Sequence, residues 1–111
     1  MADDALQLVA YRDGKGHEPF SIWFNDLDSQ AAAKIAIALA RMAQGNLSDV
    51  KPVGSGVSER RIDWGPGYRV YFGRDGERLI ILLAGGTKKR QQKDINEALA
   101  RWSDYKQRKV G

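Results

Sequence analysis

Six consecutive apolar residues, Leu79–Ala84 (LIILLA), most constrain what this chain can fold into. The run is too short to cross a bilayer, which takes roughly 20 apolar residues in a helix. Just before it stands Asp75-Gly76, a strong hairpin signal. Residues 78–84 therefore read as a central strand, buried on both faces and folded back on the segment before the turn. That segment, Tyr68–Gly73, is rich in β-formers. Val57–Trp64 reads as a further strand, joined to it by the tight connection Gly65-Pro66-Gly67. Strands linked by hairpins make a mostly antiparallel sheet.

Such a sheet needs helices to cover it. Pro19 suits the first turn of a helix. Phe20, Trp23, Phe24 and Leu27 then recur at i, i+3, i+4 and i+7, the spacing of an amphipathic helix. Ser29 is the expected cap of a second, Ala-rich helix running to about Gln44, with Ile35, Leu39 and Met42 as its apolar stripe. Gly45-Asn46 ends it. The two make an αα-hairpin. Ahead of them, Leu6–Arg12 reads as a strand and Asp13–Gly16 as a turn. Asn46–Gly56 reads as a loop, and Gly85–Arg90 as a basic loop. A last helix is expected over Gln91–Gln107, with Ile95, Ala98, Leu99 and Trp102 as its stripe. The order is β-α-α-β-β-β-α, an α+β fold in one domain spanning 1–111. The aromatic stripes read as core.

The absence of cysteine excludes disulfides, thiol nucleophiles and cysteine metal sites. His17 is the single histidine, in a turn, which argues against a zinc site or a Ser–His triad. No phosphate-binding glycine signature is present. No metal or cofactor is expected. Met1-Ala2-Asp3-Asp4 is acidic and without the apolar core of a signal peptide, so a cytoplasmic protein away from membranes is expected. The net charge of +4 is unevenly spread: residues 1–59 hold 5 Lys/Arg and 8 Asp/Glu, residues 60–111 hold 13 and 6. The second half is the side expected to meet a polyanion.

Strand alternation sharpens that expectation. Val70 and Phe72 share one face of their strand, and Arg69 and Tyr71 the other. In the preceding strand Ile62 and Trp64 share a face, opposite Glu59, Arg61 and Asp63. If the apolar sets lie under the helical hairpin, Arg61, Arg69 and Tyr71 line an open opposite face, with Lys88 and Lys89 at its rim. Arg grips phosphate through a planar fork and Lys as a point charge. RNA cleavage needs little more: the 2′-OH is the nucleophile, and cations stabilise the charge that builds on phosphorus.

Several stretches carry a resemblance. They are Phe20-x-x-Trp23-Phe24; Gly45-Asn46-Leu47-Ser48-Asp49-Val50-Lys51-Pro52-Val53-Gly54; Gly56-Val57-x-Glu59-x-Arg61-Ile62; Gly65-Pro66-Gly67-Tyr68-Arg69-Val70-Tyr71-Phe72; and Leu82-Leu83-x-Gly85-Gly86-x-Lys88-x-x-Gln91-x-x-Asp94-Ile95. Together they span roughly residues 18 to 102. The chain resembles the phage-derived Gp49-like, or addiction module killer protein, group: HigB-like toxins of the RelE/ParE superfamily. The resemblance implies a RelE-like fold and the toxin of a type II toxin–antitoxin system. Its implied partners are a cognate antitoxin, often a helix-turn-helix protein through which alone operator DNA is contacted, and the ribosome with mRNA. It implies translation inhibition by ribosome-dependent mRNA cleavage; the alternatives are a ParE-like non-catalytic inhibitor of DNA gyrase, or a degenerate member that only binds its antitoxin.

Carried over by position, Arg61, Arg69 and Lys88 are the implied catalytic residues, holding the scissile phosphate. Lys89, Arg90, Tyr71 and Gln91 are the candidate RNA-binding set, in which Gln91 stands in the motif without an assigned chemical role. Arg69→Ala is accordingly expected to relieve growth arrest with the fold intact. RelE-type enzymes often place a catalytic Tyr near the C-terminus, for which Tyr105 is the one candidate, or use a His, which this chain does not offer. The general acid and base are left unassigned.

Overall fold

A computed structural model describes residues 5–110; Met1–Asp4, read above as an acidic start, lie outside the described residues. The elements in chain order are β1 (Gln7–Ala10), α1 (Pro19–Asn25), α2 (Ser29–Ala43), β2 (Val50–Gly54), β3 (Val57–Ile62), β4 (Tyr68–Asp75), β5 (Leu79–Thr87), a 3-10 turn (Lys88–Arg90) and α3 (Gln91–Val110). The five strands form one sheet in the order β1-β5-β4-β3-β2. All pairings are antiparallel except β1 on β5. The α+β architecture expected from the sequence is the one observed.

Several boundaries differ from the sequence reading, two of them with a clear local cause. The stretch 46–56 is not all loop: Val50–Gly54 is a strand, paired with β3 at the edge of the sheet. Pro52 removes a backbone donor, and an edge strand tolerates that loss. The turn between β2 and β3 is Ser55-Gly56, both at positive φ (51° and 88°), as a two-residue hairpin turn demands. The cap of α2 is Asp28 rather than Ser29: its carboxylate accepts from the Ala31 amide at 2.8 Å. Aspartate caps as well as serine does, and it stands one residue earlier. The other end of α2 closes as read. Gly45 N–H donates to Met42 O and Asn46 N–H to Arg41 O, a Schellman pair.

The sheet is covered on both faces. Phe20, Ala31, Ile35, Ala38 and Met42 of the α1–α2 hairpin pack on Ile62, Val70, Phe72, Ile80 and Leu82. On the other face Ala98 and Trp102 of α3 pack on Val57, Tyr71, Ile81 and Leu83. Central β5 is thus buried from both sides, as its unbroken apolar run requires. Its last residues are Gly85, Gly86 and Thr87, so the pair of glycines belongs to the strand and not to the basic loop. Trp23 of α1 lies against Gly85, where a Cβ would collide with its ring. From the opposite face the Asp94 carboxylate of α3 rests on Gly86, in the space a Cβ would need. The glycine pair lets a layer approach from each side at the same level of the strand.

The far end of α3 is tied down by polar contacts. Tyr11 donates its hydroxyl to Asp104 at 2.6 Å, and Arg108 donates to Asp104 at 2.9 Å. Tyr105 donates to Asp75 at 2.5 Å, and Lys109 pairs with the same carboxylate. Among the described residues no helix is long and apolar enough to cross a membrane.

Candidate functional site

Sheet register brings the expected residues into line. Lys51, Glu59, Tyr71 and Ala84 stand opposite one another across β2, β3, β4 and β5. One step along, Arg61, Arg69 and Gly86 form a second row. Directly opposed residues share a face. Glu59, Tyr71 and Arg69 therefore all belong to the α3 side, as the alternation predicts.

That face is not open, which corrects the expectation. Tyr71 is 0% exposed and Arg69 6%. The reason is the apolar stripe of α3. With the hairpin filling one face of the sheet, the stripe can be buried only on the other. Tyr71 becomes a core residue: its hydroxyl is sealed without a hydrogen-bond partner, and burial, then the nearby Glu59 charge, push its ionisation far above the usual phenol range. It is removed from the surface where RNA contact was expected.

The polar centre of this face is Glu59, which the sequence reading did not single out. Its side chain is fully buried. One carboxylate oxygen accepts from Gln91 Nε2 at 2.9 Å and lies 3.4 Å from Arg69 Nε. The other lies 3.9 Å from Lys51 Nζ. A carboxylate withdrawn from water needs such partners. Gln91, a candidate for RNA binding, commits its amide to Glu59. Arg69 is anchored through Nε, which is sealed without a hydrogen bond. Its fork points toward Gly67, where a methyl group would touch Arg69 Nη1 (3.9 Å) and Lys88 Cβ (3.6 Å) alike.

Lys88 is brought there by the backbone: its amide donates to Gly67 O at 2.7 Å, pinning the 3-10 turn to the β3–β4 connection. Lys88, Lys89 and Arg90 are exposed, as is Arg61 at the end of β3. The result is a cationic rim around the N-terminus of α3, with the Arg69 fork set back behind it. The positive end of the helix dipole adds to the same field.

Asp94, also unassigned from sequence, lies behind the rim with one carboxylate oxygen buried and without a hydrogen bond. Burial raises its ionisation above the ordinary aspartate range, against the pull of Arg90. Tyr105 is far along α3 in the contact with Asp75; burial and that hydrogen bond push its phenol up to about 12. It is a latch for the helix rather than a proton carrier at the rim. His17 is exposed in its turn, with Nδ1 3.5 Å from Asp13.

Lys51 escaped the sequence reading because its strand was taken as loop. Glu59 and Asp94 do stand in the motifs quoted above, and Glu59 falls on the same alternating face as Arg61. Chemically the rim offers exposed positive charge at Arg61 and Lys88, with the Arg69 fork behind it held in place by Glu59.

An uncharacterized protein of Haemophilus influenzae is 45% identical to this chain over 80 residues, 71% of this chain and 81% of the relative. The pattern of the family described as phage derived protein Gp49-like (DUF891) matches residues 22–103, from the middle of α1 to the middle of α3. That span takes in both helical layers, four of the five strands and every residue of the rim, and the chain belongs to this Gp49-like family.

Proposed function

We propose that this chain is the toxin of a type II toxin–antitoxin pair, a cytoplasmic endoribonuclease that arrests translation by cutting mRNA on the ribosome. Membership of the Gp49-like family, a family of toxin–antitoxin type, supports the pairing with an antitoxin. The observation that carries the chemistry is the alignment of Arg61 and Arg69 on one face, with Lys88 beside the Arg69 fork at Gly67. A phosphodiester at the rim is gripped by the exposed Arg61 and Lys88, with the charge of the Arg69 fork behind them. The neighbouring 2′-OH attacks phosphorus, the P–O5′ bond breaks, and a 2′,3′-cyclic phosphate and a 5′-OH result, with the nucleophile's proton lost and one gained by the leaving oxygen. The cations stabilise the charge of the transition state.

The test is translation in vitro followed by primer extension on the mRNA. Cuts appear only with ribosomes present, and Arg61→Ala and Lys88→Ala abolish them while leaving the fold intact, because both side chains are exposed. One observation favours a second reading: Arg69 is buried in an ion pair and Tyr71 is sealed, which suits a ParE-like protein that inhibits DNA gyrase by binding alone. Intact mRNA together with stalled supercoiling by gyrase would select that reading and exclude the nuclease.

A further inference from the structure

On the hairpin side of the sheet edge lies a groove of about 560 Å³ between α2 and the β2–β3 pair. Lys34, Arg41, Lys51, Arg60 and Arg61 line it, against two carboxylates, Asp49 and Asp63. Asp49 is already paired with Arg60 at 3.3 Å, so the groove keeps a clear cationic excess. Its wall also carries the Trp64 ring, with Lys34 Nζ over that ring at 6.0 Å from its centroid. A cation resting on an aromatic face marks a surface where a nucleobase can stack instead.

The groove is continuous with the rim. Arg61 lines the groove and stands beside Arg69 in the row behind the rim. Lys51 lines the groove and reaches Glu59 on the other face. The end of the β2–β3 pair is thus a basic saddle joining two surfaces. Phosphate-binding forks, an aromatic platform and a charged path to the rim are what a single strand of RNA requires. An acidic protein segment would match the charge but would make no use of the path.

We propose that this groove is a second RNA subsite: it takes the strand flanking the phosphodiester held at the rim, with a base stacked on Trp64 and phosphates on the exposed Arg41 and Lys34. This rests on the reading of the chain as an RNA-acting toxin and extends it from gripping one phosphate to tracking a strand around the sheet edge.

The probe is a short fluorescent 2′-O-methyl oligouridylate, which cannot be cleaved through its 2′-position, carrying one 4-thiouridine for photo-crosslinking. Binding is followed by anisotropy across a salt series. Lys34 and Arg41 are exposed on α2, so the double variant Lys34→Glu/Arg41→Glu folds, which circular dichroism checks. Its affinity falls about tenfold or more, and the slope of log affinity on log salt shrinks by about 0.7 for each phosphate that the variant no longer neutralises. Lys15→Glu/Lys106→Glu, two exposed reversals away from the groove that match the change in net charge, changes little, as does Lys15→Glu alone. Crosslinks map to the peptide holding Trp64 and to α2, as well as to the rim. Crosslinks confined to Arg61 and Lys88–Gln91, with the α2 double variant binding like Lys15→Glu/Lys106→Glu, overturn the groove and leave the rim standing. Polyglutamate binding that the α2 double variant loses while its oligouridylate binding is intact reassigns the groove to an acidic protein partner. If the wild-type chain binds no oligouridylate at all, the RNA reading falls with the groove.

Discussion

Arg69 and Glu59 are each other's condition. Removing one side of a buried pair strands the other charge, at a cost of about 3–5 kcal/mol. Arg69→Ala should therefore destabilise the protein, so that any relief of growth arrest would come with lost stability rather than with the fold intact, as the sequence alone suggests. Urea titration of Arg69→Ala should show the loss, and of Arg69→Met/Glu59→Leu a recovery of most of it. A stable single variant would mean that the pair is solvated. Asp94 poses the opposite case. Its folded ionisation is raised by burial, so the charged form is disfavoured in the fold. Ionised Asp94 costs stability above its folded range, and the cost disappears as pH falls below its unfolded range. Asp94→Asn should thus stabilise the protein at neutral pH and lose that advantage in acid. Equal stability changes at both pH values would refute the assignment. Gly86→Ala drives a methyl group into the same carboxylate and should cost about 1–3 kcal/mol by overpacking.

At the scale of elements, α3 decides the site. Its apolar stripe closes one face of the sheet, the 3-10 turn that leads into it carries the rim lysines and Arg90, and its far end is latched by Tyr11–Asp104 and Tyr105–Asp75. Trp102 anchors the middle against β3 and β4. Trp102→Ala should cost about 3–5 kcal/mol and weaken hydrogen-exchange protection along β4 and β5 as well as in α3. The latch carries its own pH dependence. Hydrogen bonds from Tyr11 and Arg108 lower Asp104, and contacts from Lys109 and Tyr105 lower Asp75. Folded values below the unfolded ones mean that this stabilisation is complete above the ordinary carboxylate range and is lost as pH falls through the folded values. Exchange protection at the end of α3 should fall in acid before that of β5 does. Simultaneous loss would show that the latch contributes nothing local.

For the whole molecule the decisive property is where charge sits. The 13 Lys/Arg of residues 60–111, against 6 Asp/Glu, do not form one patch. Arg69 is engaged by a buried partner, Arg60 by Asp49, Arg101 by Glu97 and Leu83 O, and Arg108 by the latch. Of the exposed remainder, Arg61 and Lys88–Arg90 lie together at the rim, while Arg74, Arg78, Lys93, Lys106 and Lys109 are spread over the end of β4, the turn after it and α3. Ribosome or RNA binding should therefore weaken steeply with salt, and Lys89→Ala/Arg90→Ala should flatten that dependence without altering stability. A salt profile unchanged by the double substitution would place the polyanion elsewhere.

Local rules were enough for most of the fold. The two periodicities, the Pro19 start, the Gly45 stop and the Asp75-Gly76 turn each act over a few residues, and the amino acids themselves carry them. The pairing of faces in β3 and β4 follows in the same way, because alternation has a period of two whatever lies above. Which face remains open is a different kind of fact. It depends on where a helix a dozen or more residues away finds room to bury Ile95, Ala98, Leu99 and Trp102, and on the closeness that Gly86 allows it. The apolar run of β5 already implied a layer on each side, yet only three-dimensional packing assigned the second layer to α3. That packing turned Tyr71 into core, turned Arg69 into half of a buried pair, and left the working surface at the rim.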